Sequence, residues 1–357
     1  MTKNLDYKKV LVGVSGGVDS SVCIDLLKKQ GLEVEGVVIR FSPESDEAVN
    51  DAKRVCDKLG IPLHIADAQA DFMKYVVTPF CENYVSGKTP NPCIVCNPHV
   101  KFATLIKTAD ELGIGYIATG HYAQVEKVGE TYFVKKAVSI AKDQSYMLYR
   151  LPQEILSRLI LPIGSFEKPV IREMAGELEL FNADKPDSQE ICFIPDGDYG
   201  SFIKNLGYKT KYGWLIAPDG KRIRRHEGVH NFTIGQRKGL NIGGHQQPIF
   251  IIHIDIEKNL IFVGEGQDHP GLYRPALAIL PDEIHWVRPD QEMQIGEERE
   301  YLIRIRYRQP LQKGRLIRRE EGMYIVFDEA QRGITPGQFA AWYAEDGELV
   351  GSGVINR

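Results

Sequence analysis

The sequence predicts an α/β N-terminal part followed by all-β segments, and three observations carry that prediction. Over the first 180 or so residues, short β-branched apolar runs alternate with helix-length segments. From about residue 205 helical periodicity fades and glycine rises. Beyond about residue 281, four or five short strands are separated by the turn sequences QKG, EEG, TPG and EDG. Strand–helix alternation at this spacing builds a mainly parallel sheet with helices on both faces. Short strands joined by tight turns build a small antiparallel barrel. Three units are expected: 1–204, 205–280 and 281–357.

In order, the first unit offers strands at 10–14, 33–39, 62–67 and 115–120, with helices over 19–30, 46–60, 70–86 and 99–113. Two further helical stretches, near 152–160 and 168–180, are interrupted by Pro162, Gly164 and Pro169. The middle unit offers strands at 248–254, 259–264 and 273–280. Pro281 and Pro289 mark the next break, and strands follow at 299–307, 314–319, 323–328, 338–344 and 348–355.

The hydrophobic share is 43% and the charged share 26%, ordinary for a globular chain. No apolar run approaches the roughly 18 residues of a membrane span, and no signal peptide is expected at the N-terminus. Six cysteines in 357 residues are not a disulfide scaffold, so reduced thiols in a cytoplasm are expected, with no membrane partner. A net charge of −4 argues against indiscriminate coating of nucleic acid. Two local basic stretches stand out, 221–239 and 301–319. The second alternates apolar and basic residues, which in a strand puts the arginines on one face. That face is either simply solvated, with Glu297, Glu298, Glu300, Glu320 and Glu321 nearby, or a contact for an acidic partner.

The first strand empties into Ser15-Gly16-Gly17-Val18-Asp19-Ser20-Ser21. No Gly-Lys-Ser/Thr closes it, so it is not a Walker loop. Glycines permit positive φ and close backbone approach, and amides at a helix start make an anion site. Ser15, Ser20 and Ser21 offer hydroxyls to phosphate oxygens. Asp19 suits an N-cap or a Mg²⁺ ligand. Ligands in parallel sheets sit beyond the carboxyl ends of the strands, so Gly120-His121, past the fourth strand, should face the same crevice.

A second constellation is GKTPNPCIVCNPHVKF (87–102), a Cys93-x-x-Cys96 framed by prolines. In a reduced compartment such a pair is a metal, cluster or redox site, or two packed thiols in a loop. Cys192 follows an acidic stretch expected to be a loop. Cys23, Cys56 and Cys81 read as core thiols. His226-Glu-Gly-Val-His230 matches the zinc-protease pattern, but Gly228 and Val229 make a poor helix interior, so no such site is expected.

The opening loop resembles that of the PP-loop ATP pyrophosphatases, which transfer AMP to an oxygen and release pyrophosphate. Together, GVSGGVDSSV, GKTPNPCIVCNPHVKF, ATGHYAQV, KDQSYMLYRL, DSQEICFI, FTIGQRKGL, RIRYRQ and TPGQFA stand in the order of tRNA-specific 2-thiouridylases of the MnmA/TrmU type. The resemblance covers nearly the whole chain. It implies a PP-loop catalytic domain, a small central domain and a tRNA-contacting β-barrel. It also implies ATP- and Mg²⁺-dependent thiolation of the wobble uridine of tRNAs for Lys, Glu and Gln. Residue by residue, it implies that Gly13, Val14, Ser15, Gly16, Gly17, Val18, Asp19, Ser20, Ile39 and Gly120 hold ATP. Asn91, Pro92 and Cys93 would border the base. His121, Lys142, Asp143, Gln144, Arg306, Tyr307 and Gln338 would contact tRNA. Cys96 and Cys192 would carry the sulfur chemistry, with Cys192 taking a persulfide from a sulfur-relay donor. Many members have Asp where this chain has Cys93. Three cysteines leave a second route open, a [4Fe–4S] cluster on Cys93, Cys96 and Cys192 fed by inorganic sulfide. Carbonyl activation as an AMP ester suits attack by a thiolate, so Cys96 and Cys192 are expected to be partly exposed in electropositive surroundings. Another PP-loop adenylating sulfur- or amido-transferase is the nearest alternative.

Overall fold

The computed structural model describes residues 5–43, 45–183 and 191–356. The stretch 184–190, expected to be a loop, lies outside the described residues.

A five-stranded parallel sheet forms the N-terminal layer. Its strands are β1 (Asp6–Gly13), β2 (Glu33–Arg40), β3 (Leu63–Asp67), β4 (Ile114–Ala118) and a short edge strand at Leu159–Ile160, in the order β3-β2-β1-β4-edge. Period-2 alternation along β1 sends Leu11 into one core and Val10 and Val12 into the other. Helices α1 (Val18–Lys29) and α2 (Asp46–Leu59) cover the second core, with Val22, Cys23, Ile24 and Leu27 of α1 fully buried. Cys56 of α2 joins them, so the reading of these cysteines as core thiols holds.

Two long helices carry π turns, and prolines explain both. Gln69–Phe72 (α3) and Thr78–Val85 (α4) are joined by a π turn at Met73–Val77, just before Pro79. Pro92–Cys96 (α5) and Phe102–Leu112 (α6) are joined by another at Asn97–Lys101, which contains Pro98. Proline lacks an N–H and clashes with the preceding turn, and a π turn absorbs both defects. Cys93 and Cys96 therefore lie on a helix, not in a loop.

The stretch near 152–160 is not one helix: a single turn, α7 (Gln153–Leu156), leads into the edge strand. Numbering strands in chain order, the hairpin β5 (Ala123–Val128) and β6 (Thr131–Lys136) precedes that edge strand, which is β7. The hairpin was not anticipated. It buries Phe133 and Val134 in the same core as Leu11. Helix α8 (Lys168–Glu177) falls where expected, and α9 (Tyr199–Asn205) follows the turn that holds Cys192.

The middle unit is a four-stranded sheet, β8 (Gly213–Ile216), β9 (Arg222–His226), β10 (Ile249–Asp255) and β11 (Leu260–Glu265), ordered β10-β11-β8-β9. His226 ends β9 and His230 sits in a 3-10 turn at Val229–Asn231, so the protease-like pattern is not helical, as expected. The strand expected at 273–280 belongs elsewhere. It is the start of β12 (Tyr273–Trp286), which crosses the expected 280/281 boundary and pairs with both β15 and β17 of the barrel. Pro281 falls inside the register shift between Ile279 and Ile284, where a missing N–H breaks no ladder bond. The barrel closes as β12-β15-β14-β13-β16-β17, with β13 (Glu298–Arg304), β14 (Gln312–Arg319), β15 (Gly322–Arg332), β16 (Phe339–Tyr343) and β17 (Leu349–Ile355). Phe339, Ala341, Tyr343 and Leu349 pack into the core that also contains Leu11 and Phe102, so the barrel is seated on the N-terminal layer.

Candidate active site

The loop after β1 is held from within. The Val14 N–H donates to the Val37 carbonyl at 2.8 Å. Gly16 has φ +73°, and a Cβ there would fall 2.4 Å from the Asp51 Cβ. Gly17 (φ −88°, ψ 162°) precedes Val18 as the N-cap residue of α1. The Ser20 and Ser21 hydroxyls donate to the Gly17 carbonyl at 3.1 and 2.9 Å. Both serines are buried, so they brace the loop where phosphate donors were expected. Ser15 is exposed, and its Oγ accepts from the Gly17 N–H at 3.4 Å. The start of α1 and the Ser15 hydroxyl are what this loop presents to an anion.

Asp19 corrects another expectation. It lies in the first turn of α1, and its carboxylate accepts from Lys168 Nζ at 2.7 and 2.9 Å and from the Tyr122 hydroxyl at 2.8 Å. It is not the N-cap. With an ammonium on both of its oxygens, it does not fit a Mg²⁺ ligand in this arrangement. Lys168 and Asn182 were not singled out in the sequence. The buried Asn182 donates to the Gly16 carbonyl at 2.7 Å and fixes the turn.

Gly120 touches the loop directly: a Cβ there would sit 2.8 Å from the Ser20 amide nitrogen. Gly13 is less constrained, with a Cβ meeting only Leu105 and Thr119 at ordinary contact. Ile39, at the end of β2, packs against the main N-terminal core and against the aromatic cluster of α3, α4 and α9.

The thiols adjoin this crevice. Next to Gly120, His121 Nδ1 lies 2.7 Å from Thr119 Oγ1 and Nε2 lies 3.5 Å from Lys101 Nζ. Burial, and then Lys101, push its pKa well down. His121 is thus a neutral ring stacked on Phe102 at 5.7 Å, not a cation for phosphate. Lys101 also acts on all three cysteines of interest, drawing each thiol pKa down. Burial outweighs it. Cys96 is buried and pushed up to about 12, Cys192 to about 11, and Cys93 is raised. Cys93 and Cys192 are exposed. Lys101 supplies the expected positive neighbour, but Cys96 is buried where partial exposure was expected, and burial keeps the thiols protonated at neutral pH. The Cys192 turn is anchored by Phe193, edge-on to Phe72 and Phe80 at 5.4 and 5.2 Å. Among the described residues, no three His, Cys, Asp or Glu side chains converge closely enough to hold a metal ion. The three thiols nonetheless act on one another electrostatically, so they are neighbours spaced more widely than the ligands of a single ion.

The residues expected at RNA divide. Asn91 reaches the Met147 sulfur at 3.8 Å, and the buried Pro92 starts α5. Lys142 is half-buried. Arg306 is exposed just past β13, and Tyr307 follows it. Gln338 donates to the Thr89 carbonyl at 2.7 Å, tying the barrel to the approach of α5. Gln144 has its side-chain oxygen on the Tyr122 N–H at 2.8 Å. Asp143 is a correction: it is 3% exposed, with the barrel's Arg304 on its carboxylate at 3.0 Å, and shows no face to RNA. Arg304 in turn departs from the expected arginine face, because β13 points it inward at the N-terminal layer.

Family models match three consecutive segments: a tRNA methyl transferase HUP domain over 8–196, a tRNA methyl transferase PRC-barrel domain over 200–265 and an aminomethyltransferase beta-barrel domain over 278–355. A protein named tRNA-specific 2-thiouridylase MnmA from Christiangramia forsetii is 42% identical, covering 98% of this chain and all of that one. One of the same name from Clostridioides difficile is 40% identical, covering 98% of each. A solved U34-tRNA thiolase NcsA from Methanococcus maripaludis, with its [4Fe-4S] cluster, is 18% identical with a TM-score of 0.35, over 57% of this chain and 66% of that one. Among the described residues no helix is long and apolar enough to cross a membrane.

Proposed function

The chain belongs to the tRNA-specific 2-thiouridylase family, and from that premise we propose that it activates the wobble uridine of tRNAs for Lys, Glu and Gln with ATP and replaces O2 with sulfur. The observation that supports this best is one continuous path of contacts and charge interactions. The Ser15–Ser20 loop abuts Gly120, His121 follows, Lys101 meets His121, and Lys101 acts on Cys93, Cys96 and Cys192.

The loop and the start of α1 bind the phosphates of ATP. Uridine O2 attacks the α-phosphorus, and pyrophosphate leaves. The terminal sulfur of a persulfide on Cys192 then attacks C2, and AMP leaves with the former O2. Cys96 attacks the inner sulfur, closing a Cys96–Cys192 disulfide that an external thiol must reduce. The target base has to leave the anticodon stack for its O2 and C2 to reach the loop and the thiols. Mg²⁺ would neutralise the phosphates; Asp19, with Lys168 on both carboxylate oxygens, does not hold it. In the alternative route Cys93, Cys96 and Cys192 would hold a [4Fe–4S] cluster that supplies sulfide to C2. A cytoplasmic location and a sulfur-relay donor go with this reading.

The test combines the chain with ATP, unmodified tRNA and either a persulfide donor or sulfide. AMP and 2-thiouridine at the wobble position, read by nucleoside mass spectrometry, are expected. Absence of both with either donor overturns the reading. Iron and acid-labile sulfide in protein purified without oxygen decide the sulfur route: about four irons per chain, lost in Cys93→Ala, would replace the persulfide step by the cluster.

A further inference from the structure

Residues 143–147 form a turn that three parts of the molecule hold at once. From the barrel, Arg304 Nη1 donates to Asp143 at 3.0 Å, the Tyr343 hydroxyl meets Ser145 Oγ at 3.1 Å, and the Phe339 carbonyl accepts from the Tyr146 hydroxyl at 2.7 Å. From the nucleotide side, the Gln144 N–H donates to the Tyr122 carbonyl at 2.7 Å, and the Tyr122 hydroxyl donates to Asp19. From the thiol side, Asn97, next to Cys96, donates to the Met147 carbonyl at 2.7 Å. Inside the turn, Asp143 accepts from the N–H groups of Ala137 and Ser145 and from the Ser145 hydroxyl.

We propose that Arg304, through Asp143, is a positioning residue for sulfur transfer: it couples the seat of the barrel to the placement of the helix that carries Cys93 and Cys96. Asp143 and Arg304 are 3% and 5% exposed, so water cannot substitute for either. A buried charge pair of this kind tolerates little change of geometry once its hydrogen bonds are made. Every bond that fixes the turn to the barrel lies within five residues of the bond that fixes it to Asn97. A shift at Asp143 is therefore passed to α5, where small misplacement of reacting groups is costly.

The turnover part of this inference rests on the thiolation reading; the labelling part does not. Arg304→Met is expected to lower kcat for thiolation about a hundredfold while KM for tRNA stays within about twofold, the pattern of lost positioning. Without RNA or ATP, Cys96 should react with iodoacetamide about tenfold faster in the variant, because its helix opens more often. Cys23, fully buried on the inner face of α1, should stay protected and so report an intact core. Arg304→Lys, which keeps the buried charge, should recover part of both effects, and it serves as the test if Arg304→Met does not fold. Adding Asp143→Asn to Arg304→Met should cause little further loss, since both act through one pair. A raised KM with kcat retained would make Arg304 an RNA contact and overturn the proposal. So would unchanged Cys96 labelling in a folded variant. If the parent chain makes no 2-thiouridine, the thiolation reading fails, and Cys96 labelling still decides the coupling.

Discussion

Gly16→Ala and Gly17→Ala separate what the loop needs for its shape from what it needs for its ligand. Gly16 has φ +73°, where a side chain costs roughly 1–2 kcal/mol. Its Cβ would also sit 2.4 Å from the Asp51 Cβ and 3.4 Å from the Ala52 amide, atoms of α2 that no rotamer change can move aside. The loop must shift, and the Gly16 carbonyl then leaves Asn182 Nδ2, a net loss of about 1 kcal/mol. Together these amount to about 2–3 kcal/mol against the native loop. If ATP requires that loop, its Kd rises about thirtyfold or more at 1.4 kcal/mol per decade. Gly17 differs: at φ −88° and ψ 162° it is ordinary extended backbone, and a Cβ meets only Ser15 Oγ at 3.4 Å. Gly17→Ala should leave the unfolding midpoint where it is, and any loss of ATP affinity then reports a phosphate approaching that Cα. The assays are equilibrium binding of ATP and urea unfolding of each variant. Parental ATP affinity in Gly16→Ala would refute the claim that this turn is the nucleotide site.

Three further outcomes follow from the charges. Lys101→Gln removes the group that draws the three thiol pKa values down, so iodoacetamide labelling of Cys192 at pH 8 should slow severalfold, at tenfold in thiolate per pKa unit. In the parent chain, labelling of Cys192 should keep rising with pH well past 9, toward its pKa of about 11, when followed by mass spectrometry. His285 is held down to about 4 by burial and then by Arg150. Its neutral form belongs to the folded state, so its contribution is complete above the ordinary value near 6.5 and is lost as pH falls through 4. Acid should destabilise the chain over that window by up to about 3 kcal/mol, and His285→Gln should flatten the dependence in unfolding measured against pH.

The parallel sheet was legible because its signal is local. Each of β1 to β4 is an apolar run closed by a turn, and the helices between them have their own periodicity. The edge strand Leu159–Ile160 was hidden because two residues carry no period, and because the preceding turn α7 continues the apolar pattern of a helix. The first barrel strand was cut at Pro281, since proline reads as a break. Within the register shift of β12 it costs no ladder bond, and pairing to two neighbours on either side of the shift decides the outcome. The π turns followed from Pro79 and Pro98 in hindsight, yet they need an uninterrupted helix on both sides, which a proline-rich string does not announce.

The site was legible in position and illegible in partnership. The Ser-Gly-Gly loop and Gly120-His121 could be assigned to one crevice because parallel sheets gather their loops at one end, whereas Cys93-x-x-Cys96 joined them only through the family resemblance. What each side chain does there depends on residues far along the chain. Asp19 looks like a cap or a cation ligand until Lys168 arrives, 149 residues later, and occupies both carboxylate oxygens. Asp143 stands as a tRNA contact by resemblance until Arg304, 161 residues later, closes over it. Arg304 itself sat in an alternating string that promised a solvated face. The strand β13 ends at Arg304, so Arg306 and Arg308 fall in the turn beyond it, and Arg304 is turned against the N-terminal layer, where its charge becomes a fastening. Period-2 patterning tells which residues share a face and not what that face meets. That second fact is fixed only when one domain docks on another, and here it turns expected RNA contacts into the groups that hold the thiol helix in place.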